Sequence, residues 1–379
     1  MTFQQHIPTR CWPCRALVLA LLAAGPAWGQ MPLPGPPTPG ITQAAKSPPG
    51  PAPDVTAEVS PAVRGQTLVV VNKLALTVGF YDPITGEQQA LFSLPPRPHE
   101  IAISTDRRTA YVSIYGDGIY AANPHPGHQV AVVDLAGRRP TGFLSTGDVP
   151  APHGMALAPD GALWVSSDMG QAVLVMDPRT GERLAVVPTG TTGSHWLAMT
   201  PDGRKVYASN RAGAGIPVID VTTRKPLGRV AVPHAVTGLS VSPDGSRLYA
   251  ADDQDAALLV IDTATDKLID TVPLAGLPRV SADVDRERRV RVTPDGRNVF
   301  VSDSLSGVVI AAETADLRRQ RLLVVEKGPM GFAFSSDSRT AWVANHDAGS
   351  VTIVDVASLR ALRDFRTGEG PETMELVGP

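Results

Sequence analysis

Three histidines stand at one register. His99, His153 and His195 each precede by seven residues the aspartate of a recurring tight turn, at Asp106, Asp160 and Asp202. Neutral imidazoles converging on one point are good ligands for copper or zinc, and the same cluster suits an anionic ligand. The same count at Asp244, Asp295 and Asp337 reaches Thr237, Arg288 and Met330, and at the C-terminal end it reaches Glu372. His346, with Asp347 beside it, offers a further ligand or a group that orients one. The expected metal set is therefore His99, His153 and His195. Arg288, His234, His346, Asp347 and Glu372 are the expected surrounding ligand-binding groups. A ring of imidazoles with Arg288 and Glu372 also permits acid–base chemistry. No GxSxG, HExxH, Walker loop or CxxCH stands in the chain.

The elements that must position these residues repeat. "MALA" (155–158), a "PDG" turn, "LWVSSD" (163–168), "AVLVMD" (172–177), "PRTGE" and "RLAVVPTG" (183–190) read as four strands and their turns. β-Branched and aromatic residues fill the strands, and turn formers bound them. The turn aspartates Asp106, Asp160, Asp202, Asp244, Asp295 and Asp337 are spaced 54, 42, 42, 51 and 42 residues apart. A base period of 42 with two insertions fits a four-stranded propeller blade. The second strand carries an aromatic at one register (Tyr111, Trp164, Tyr207, Tyr249, Phe300, Trp342), expected to wedge between sheets. Asp82, Asp134, Asp177, Asp220, Asp262 and Asp355 open the second turn as Asx-type caps, with Ala312 at the matching place in the unit of Asp295.

Six units account for 99–369. The segment 67–94 supplies three strands without a first, and "PETMELVGP" (371–379) supplies a first strand alone. The two complement each other, which predicts an all-β, seven-bladed propeller whose C-terminal strand pairs into the N-terminal blade and removes the open edges. Both insertions, 114–129 and 275–289, fall on the face formed by the loops between blades and between second and third strands. Outside the first 29 residues, every histidine falls on that face: His99, His153, His195 and His234 between blades, and His125, His128 and His346 in the other loops. The acidic residues Asp168, Asp252, Asp253 and Asp303 follow the second strand there, offering a cation or a basic partner a place.

The stretch "SPDGSRLYAADDQDAALLVIDTATDKLIDTVPL" (242–274) resembles the repeat of YVTN-type propellers, which include the periplasmic YncE-like proteins. The resemblance spans about 66–379 and implies the propeller fold and export. The wider group it points to is mixed in activity: surface-layer proteins, heavy subunits of amine dehydrogenases, haem d1 propellers, lactonases and the copper-binding propeller of nitrous oxide reductase. Some YncE-like members bind DNA. Fold alone does not choose among these.

The ends bound the rest. Arg10 and Arg15 precede the apolar run "ALVLALLAAGPAWG" (16–29), which reads as a secretory signal cleaved after Gly29. Cys11 and Cys14, the chain's 2 cysteines, leave with it, so neither disulfide nor thiolate chemistry is expected. Residues 30–65 are proline-rich and read as a flexible tail, and the propeller runs 66–379. A net charge of −3, made more negative by losing two arginines, argues against a general nucleic-acid binder. Together these predict an exported, periplasmic, monomeric scaffold with no membrane span. It would bind a partner protein, small molecule or metal ion (copper or zinc) on its histidine-bearing face. A metal-dependent or lactonase-like enzyme is the first alternative. DNA binding through Arg286, Arg288 and Arg289 is the second.

Overall fold

Each "PDG" turn is closed by its own aspartate. Asp160 Oδ1 accepts the N–H of Ala162 at 3.0 Å, and Asp106, Asp202, Asp244, Asp295 and Asp337 repeat the bond two residues on. The second turn works the same way, with Asp82, Asp134, Asp177, Asp220, Asp262 and Asp355 each accepting a backbone N–H. In the unit of Asp295, Glu313, opposite Asn298 as Asp355 is opposite Thr340, holds this register. The expected counterpart Ala312 lies one residue earlier and is fully buried.

The computed structural model describes residues 58–119, 122–281 and 287–378. These turns join strands into antiparallel four-stranded sheets in chain order. Pro152–Leu157, Leu163–Ser167, Ala172–Met176 and Arg183–Pro188 make one, and the other units repeat it. The sheets containing Lys205–Asn210 and Val236–Val241 are joined by a single bridge, Asn210 to Val236. Pro371–Val377 pairs antiparallel with Thr67–Asn72, which continues into Thr77–Tyr81 and Gln88–Ser93. The architecture is a β-propeller. No helix among the described residues is long and apolar enough to cross a membrane.

The aromatic of each second strand packs against the next sheet. Trp164 joins Leu197 and Val206, Tyr207 joins Leu239 and Leu248, and Trp342 joins Val70 and Tyr81. Trp342 also donates its indole N–H to the Pro83 carbonyl at 2.9 Å, satisfying the one polar atom it buries. The last residues of the segment expected as a tail are docked. Val59 and Val63 join the Trp342 core, and Ser60 Oγ donates to Asp337 Oδ2 at 2.7 Å. The remainder of that segment, and the expected signal, lie outside the described residues.

The innermost strands are irregular at one shared place. The ladder slips between Pro98 and Ile101, Pro152 and Met155, Ser194 and Leu197, Val236 and Leu239, and Pro329 and Phe332. It slips again opposite Glu372, where Val71 pairs Thr373 and Asn72 pairs Pro371. Each of the first five slips leaves two residues unpaired, as in a β-bulge, and the last leaves Glu372 alone; a bulge re-aims side chains. The pairs are His99–Glu100, His153–Gly154, His195–Trp196, Thr237–Gly238 and Met330–Gly331. In the remaining sheet the strand starts only at Val290, leaving Arg288 and Arg289 ahead of it.

Candidate functional site in the central channel

Bulging places the three histidines in one stack. The ring centroids of His99 and His153 are 4.1 Å apart, and those of His153 and His195 are 3.7 Å apart. All three are buried, His153 and His195 completely. The serine two residues after the second-strand aromatic supports the bulge. Ser113 Oγ accepts the N–H of Glu100 at 3.0 Å, Ser209 Oγ that of Trp196 at 2.7 Å, and Ser302 Oγ that of Arg289 at 3.3 Å. Ser166 Oγ instead donates to the Gly154 carbonyl at 3.2 Å. Glycine at 154 is required by space, since a Cβ there would sit 2.5 Å from the His195 carbonyl oxygen.

Each histidine has a different environment. Burial first, then Lys73, His153 and Arg289, hold the His99 pKa well below 6.5. The ring is therefore neutral, and its Nε2 accepts from Lys73 Nζ at 2.8 Å. His99 Nδ1 has no hydrogen-bond partner, with Glu100 Oε1 at 3.5 Å. His153 is held neutral in the same way, by burial first and then by His195 and Arg289, and neither of its ring nitrogens has a partner. His195 Nε2 lies 2.7 Å from Glu287 Oε1. Burial favours the neutral form of Glu287. Arg289, the His195 hydrogen bond and Arg211 outweigh it and hold the carboxyl well below its usual range, so His195 donates through Nε2.

Arg289 is the hub beneath the stack. It donates to Glu100 Oε1 at 2.6 Å and to Glu372 Oε1 at 2.7 Å, and its guanidinium lies 4.6 Å from the centre of the Trp196 ring. Burial pushes Glu100 up to about 7 against the pull of Arg289, with Glu372 adding to the rise. Tyr115 donates to Asp168 Oδ2 at 2.8 Å, and Asp168 Oδ1 faces His195 Nδ1 at 3.8 Å. Lys73, Arg211 and Arg289 thus face four carboxyls, Glu100, Asp168, Glu287 and Glu372. Three cationic side chains against four carboxyls do not favour a bound anion.

Above the stack is a cavity of about 260 Å³, lined by Lys73, Tyr115, Arg211, Glu287, Met330 and His346 among others. Both insertions reach it: Tyr115 and Ile119 come from one, Glu287 from the other. A second chamber of about 490 Å³, lined by Ile101, Met155, Trp196 and Leu239, adjoins the "PDG" turns at the opposite end.

The expected residues sort unevenly. His99, His153, His195 and Glu372 meet in the channel, and His346 and Asp347 line the cavity, with His346 Nε2 at 3.5 Å from Glu372. Arg288 does not meet them. It is fully buried and donates to Asp303 Oδ2 at 2.8 Å and to the Asp252 carbonyl at 2.5 Å. With the strand beginning at Val290, Arg289 takes the central place. His234 lies apart from the cavity, half-buried and 2.9 Å from Asp252. Sequence reasoning missed Lys73, Glu100, Tyr115, Arg211 and Glu287, and named Arg289 only as a DNA contact. A signal was present: serine follows the aromatic by two in the units of Glu100, Gly154, Trp196 and Arg289, and alanine (Ala251, Ala344) does so in the other two.

No protein-family model and no curated protein matches the chain. Solved structures do. Hydrazine synthase from Kuenenia stuttgartiensis aligns at 20% identity and a TM-score of 0.61, covering 73% of this chain and 89% of that one. A periplasmic gluconolactonase from Pseudomonas aeruginosa aligns at 18% and 0.65, covering 83% and 99%. A protein of unknown function from Desulfotomaculum acetoxidans aligns at 11% and 0.66, covering 83% and 99%. These likenesses carry the propeller fold.

Proposed function

We propose that the chain is a periplasmic, monomeric, seven-bladed propeller of the YncE/YVTN type that binds a small polar ligand or metal ion at the histidine-bearing end of its channel. The seven-bladed reading is supported by the pairing of Pro371–Val377 with Thr67–Asn72 and by the apolar cores between successive sheets. One observation carries the binding reading. The cavity of about 260 Å³ gathers cationic, imidazole, carboxyl and phenol groups over a buried histidine stack. A concave site with a few convergent polar groups is where ligands bind. The surface ion pairs elsewhere offer no such convergence.

A panel of sugar acids, short carboxylates, phosphate and divalent metals, read by thermal unfolding of the untagged chain, tests this. A true ligand at about 100 times its Kd adds about 2.7 kcal/mol. Its effect disappears in Lys73→Met and Arg211→Ala. A panel with no stabilising compound would sink the binding reading.

Lactone hydrolysis is the second reading, supported by the gluconolactonase neighbour and by two carboxyl-paired groups at the cavity, His195 with Glu287 and Tyr115 with Asp168. Acid release from simple sugar lactones, lost in Glu287→Gln, would establish it. DNA binding loses its proposed contacts. Arg288 and Arg289 are buried in ion pairs, and Arg286 lies outside the described residues.

A further inference from the structure

We propose that His99, His153 and Glu100 bind a first-row divalent metal ion, zinc or copper, with His195 outside the ligand set. The proposal rests on the reading of this end of the channel as the binding site, and replaces one residue of the three-histidine set.

Three observations carry it. His99, Glu100 and His153 each offer a donor atom, and these lie within 4.8 Å of one another. The same residues hold buried donors without a hydrogen-bond partner: His99 Nδ1, Glu100 Oε2 and both ring nitrogens of His153. Buried polar atoms are nearly always satisfied, and leaving one bare costs about 1–3 kcal/mol. A neutral imidazole keeps one lone pair, so His153 and Glu100 each bring one to this place, and His99 does so at Nδ1 once its hydrogen moves to Nε2; a cation accepts all three. Lastly, the cluster sets three cationic side chains against four carboxyls, so it tolerates added positive charge.

The supporting contacts fit a metal centre. Glu100 Oε1 is held by Arg289 at 2.6 Å, which aims Oε2 away from that bond. His153 is fixed between the rings of His99 and His195. Binding at His99 Nδ1 requires the ring hydrogen on Nε2. Lys73 then gives up that contact for Glu372 Oε2, now 3.6 Å away, with no change in proton count. His195 is left out because the donor atoms that lie within 4.8 Å of one another belong to His99, Glu100 and His153. Two imidazoles and one carboxylate leave a fourth position open, the arrangement of catalytic rather than structural zinc. His99 lines the cavity, so that position opens to it.

The test uses the untagged full chain, stripped with EDTA and titrated with Zn²⁺ and separately with Cu²⁺ by calorimetry, with elemental analysis after gel filtration. The expected result is one ion per chain. Glu100→Gln and His153→Gln should weaken it about 100-fold or more, beyond the 10–100-fold that loss of a supporting partner costs, while His195→Gln stays within that smaller range. X-ray absorption on the wild-type chain gives a reading independent of any variant's folding, and should find two imidazoles and an oxygen donor. Absence of stoichiometric binding by either metal overturns the proposal. So does a site lost with His195→Gln and kept with Glu100→Gln. A metal-free chain that is still stabilised by an organic ligand would overturn this inference alone, and leave the binding reading intact.

Discussion

Arg289 and Glu100 are 189 positions apart in the chain and 2.6 Å apart in the channel. The bond ties the bulge at the head of one innermost strand to the residues preceding another. Arg289 also neutralises Glu372 at 2.7 Å and faces Glu287 at 3.6 Å. Removing one partner of a buried ion pair costs about 3–5 kcal/mol, because the charges left behind cannot be solvated. Arg289→Met should lose that much in urea unfolding. A loss below about 1 kcal/mol would mean that water reaches these carboxyls.

His153 predicts a pH dependence with a definite sign. Its folded pKa lies well below the unfolded value of 6.5, with burial as the main cause. Below 6.5 the unfolded state therefore binds the proton more readily, and stability rises with pH up to that point. His99 acts in the same direction. Glu100, pushed up to about 7, acts in the opposite one: between its unfolded value of 4.5 and about 7 the folded state keeps its proton longer, so its share of stability falls as pH rises. Urea unfolding in EDTA from pH 5 to 6.5 should give a rising stability. In His153→Gln the slope should drop by about 1.4 kcal/mol per pH unit. An unchanged slope would place the His153 ring in water.

The repeat was legible because turns and strands are local. The aspartate spacing, the strand aromatics and the unpaired first strand at the C-terminus follow from patterns a few residues long, and the pairing of Pro371–Val377 with Thr67–Asn72 follows from them. The histidine register was legible for the same reason. The partners of those histidines were not. Lys73 precedes the first full unit, and Glu287 sits in an insertion without periodicity. Glu100 faces the channel because a bulge breaks the alternation of sides that strand reading assumes, and Arg289 stands ahead of a strand that begins only at Val290. Arg288 was chosen over Arg289 by counting through that irregularity.

The C-terminal strand should be indispensable. Thr67–Asn72 is buried along its whole length and bonds to Pro371–Val377 on one side. Ending the chain at Gly370 would expose that edge and remove Met374 and Leu376 from the Trp342 core. Exposed apolar edges pair with other chains. Gel filtration of the truncated chain should give aggregates in place of a monomer. A stable truncated monomer would argue against a closed ring.

The bulge serines give the sharpest local test. Ser209 Oγ accepts the Trp196 N–H at 2.7 Å, where the slip between Ser194 and Leu197 has removed the ladder partner. Ser209→Ala leaves that donor bare in a buried strand, at a cost of about 1–3 kcal/mol. The variant should also loosen Trp196, and with it the ring that Arg289 covers at 4.6 Å. Its tryptophan emission should shift to the red before global unfolding begins. Ala344→Ser, in a sheet whose unpaired residues are Met330 and Gly331, buries a hydroxyl without removing a partner and should leave that emission unchanged. If both variants behave alike, the serine is merely small, and the channel histidines owe their aim to something other than the bulge.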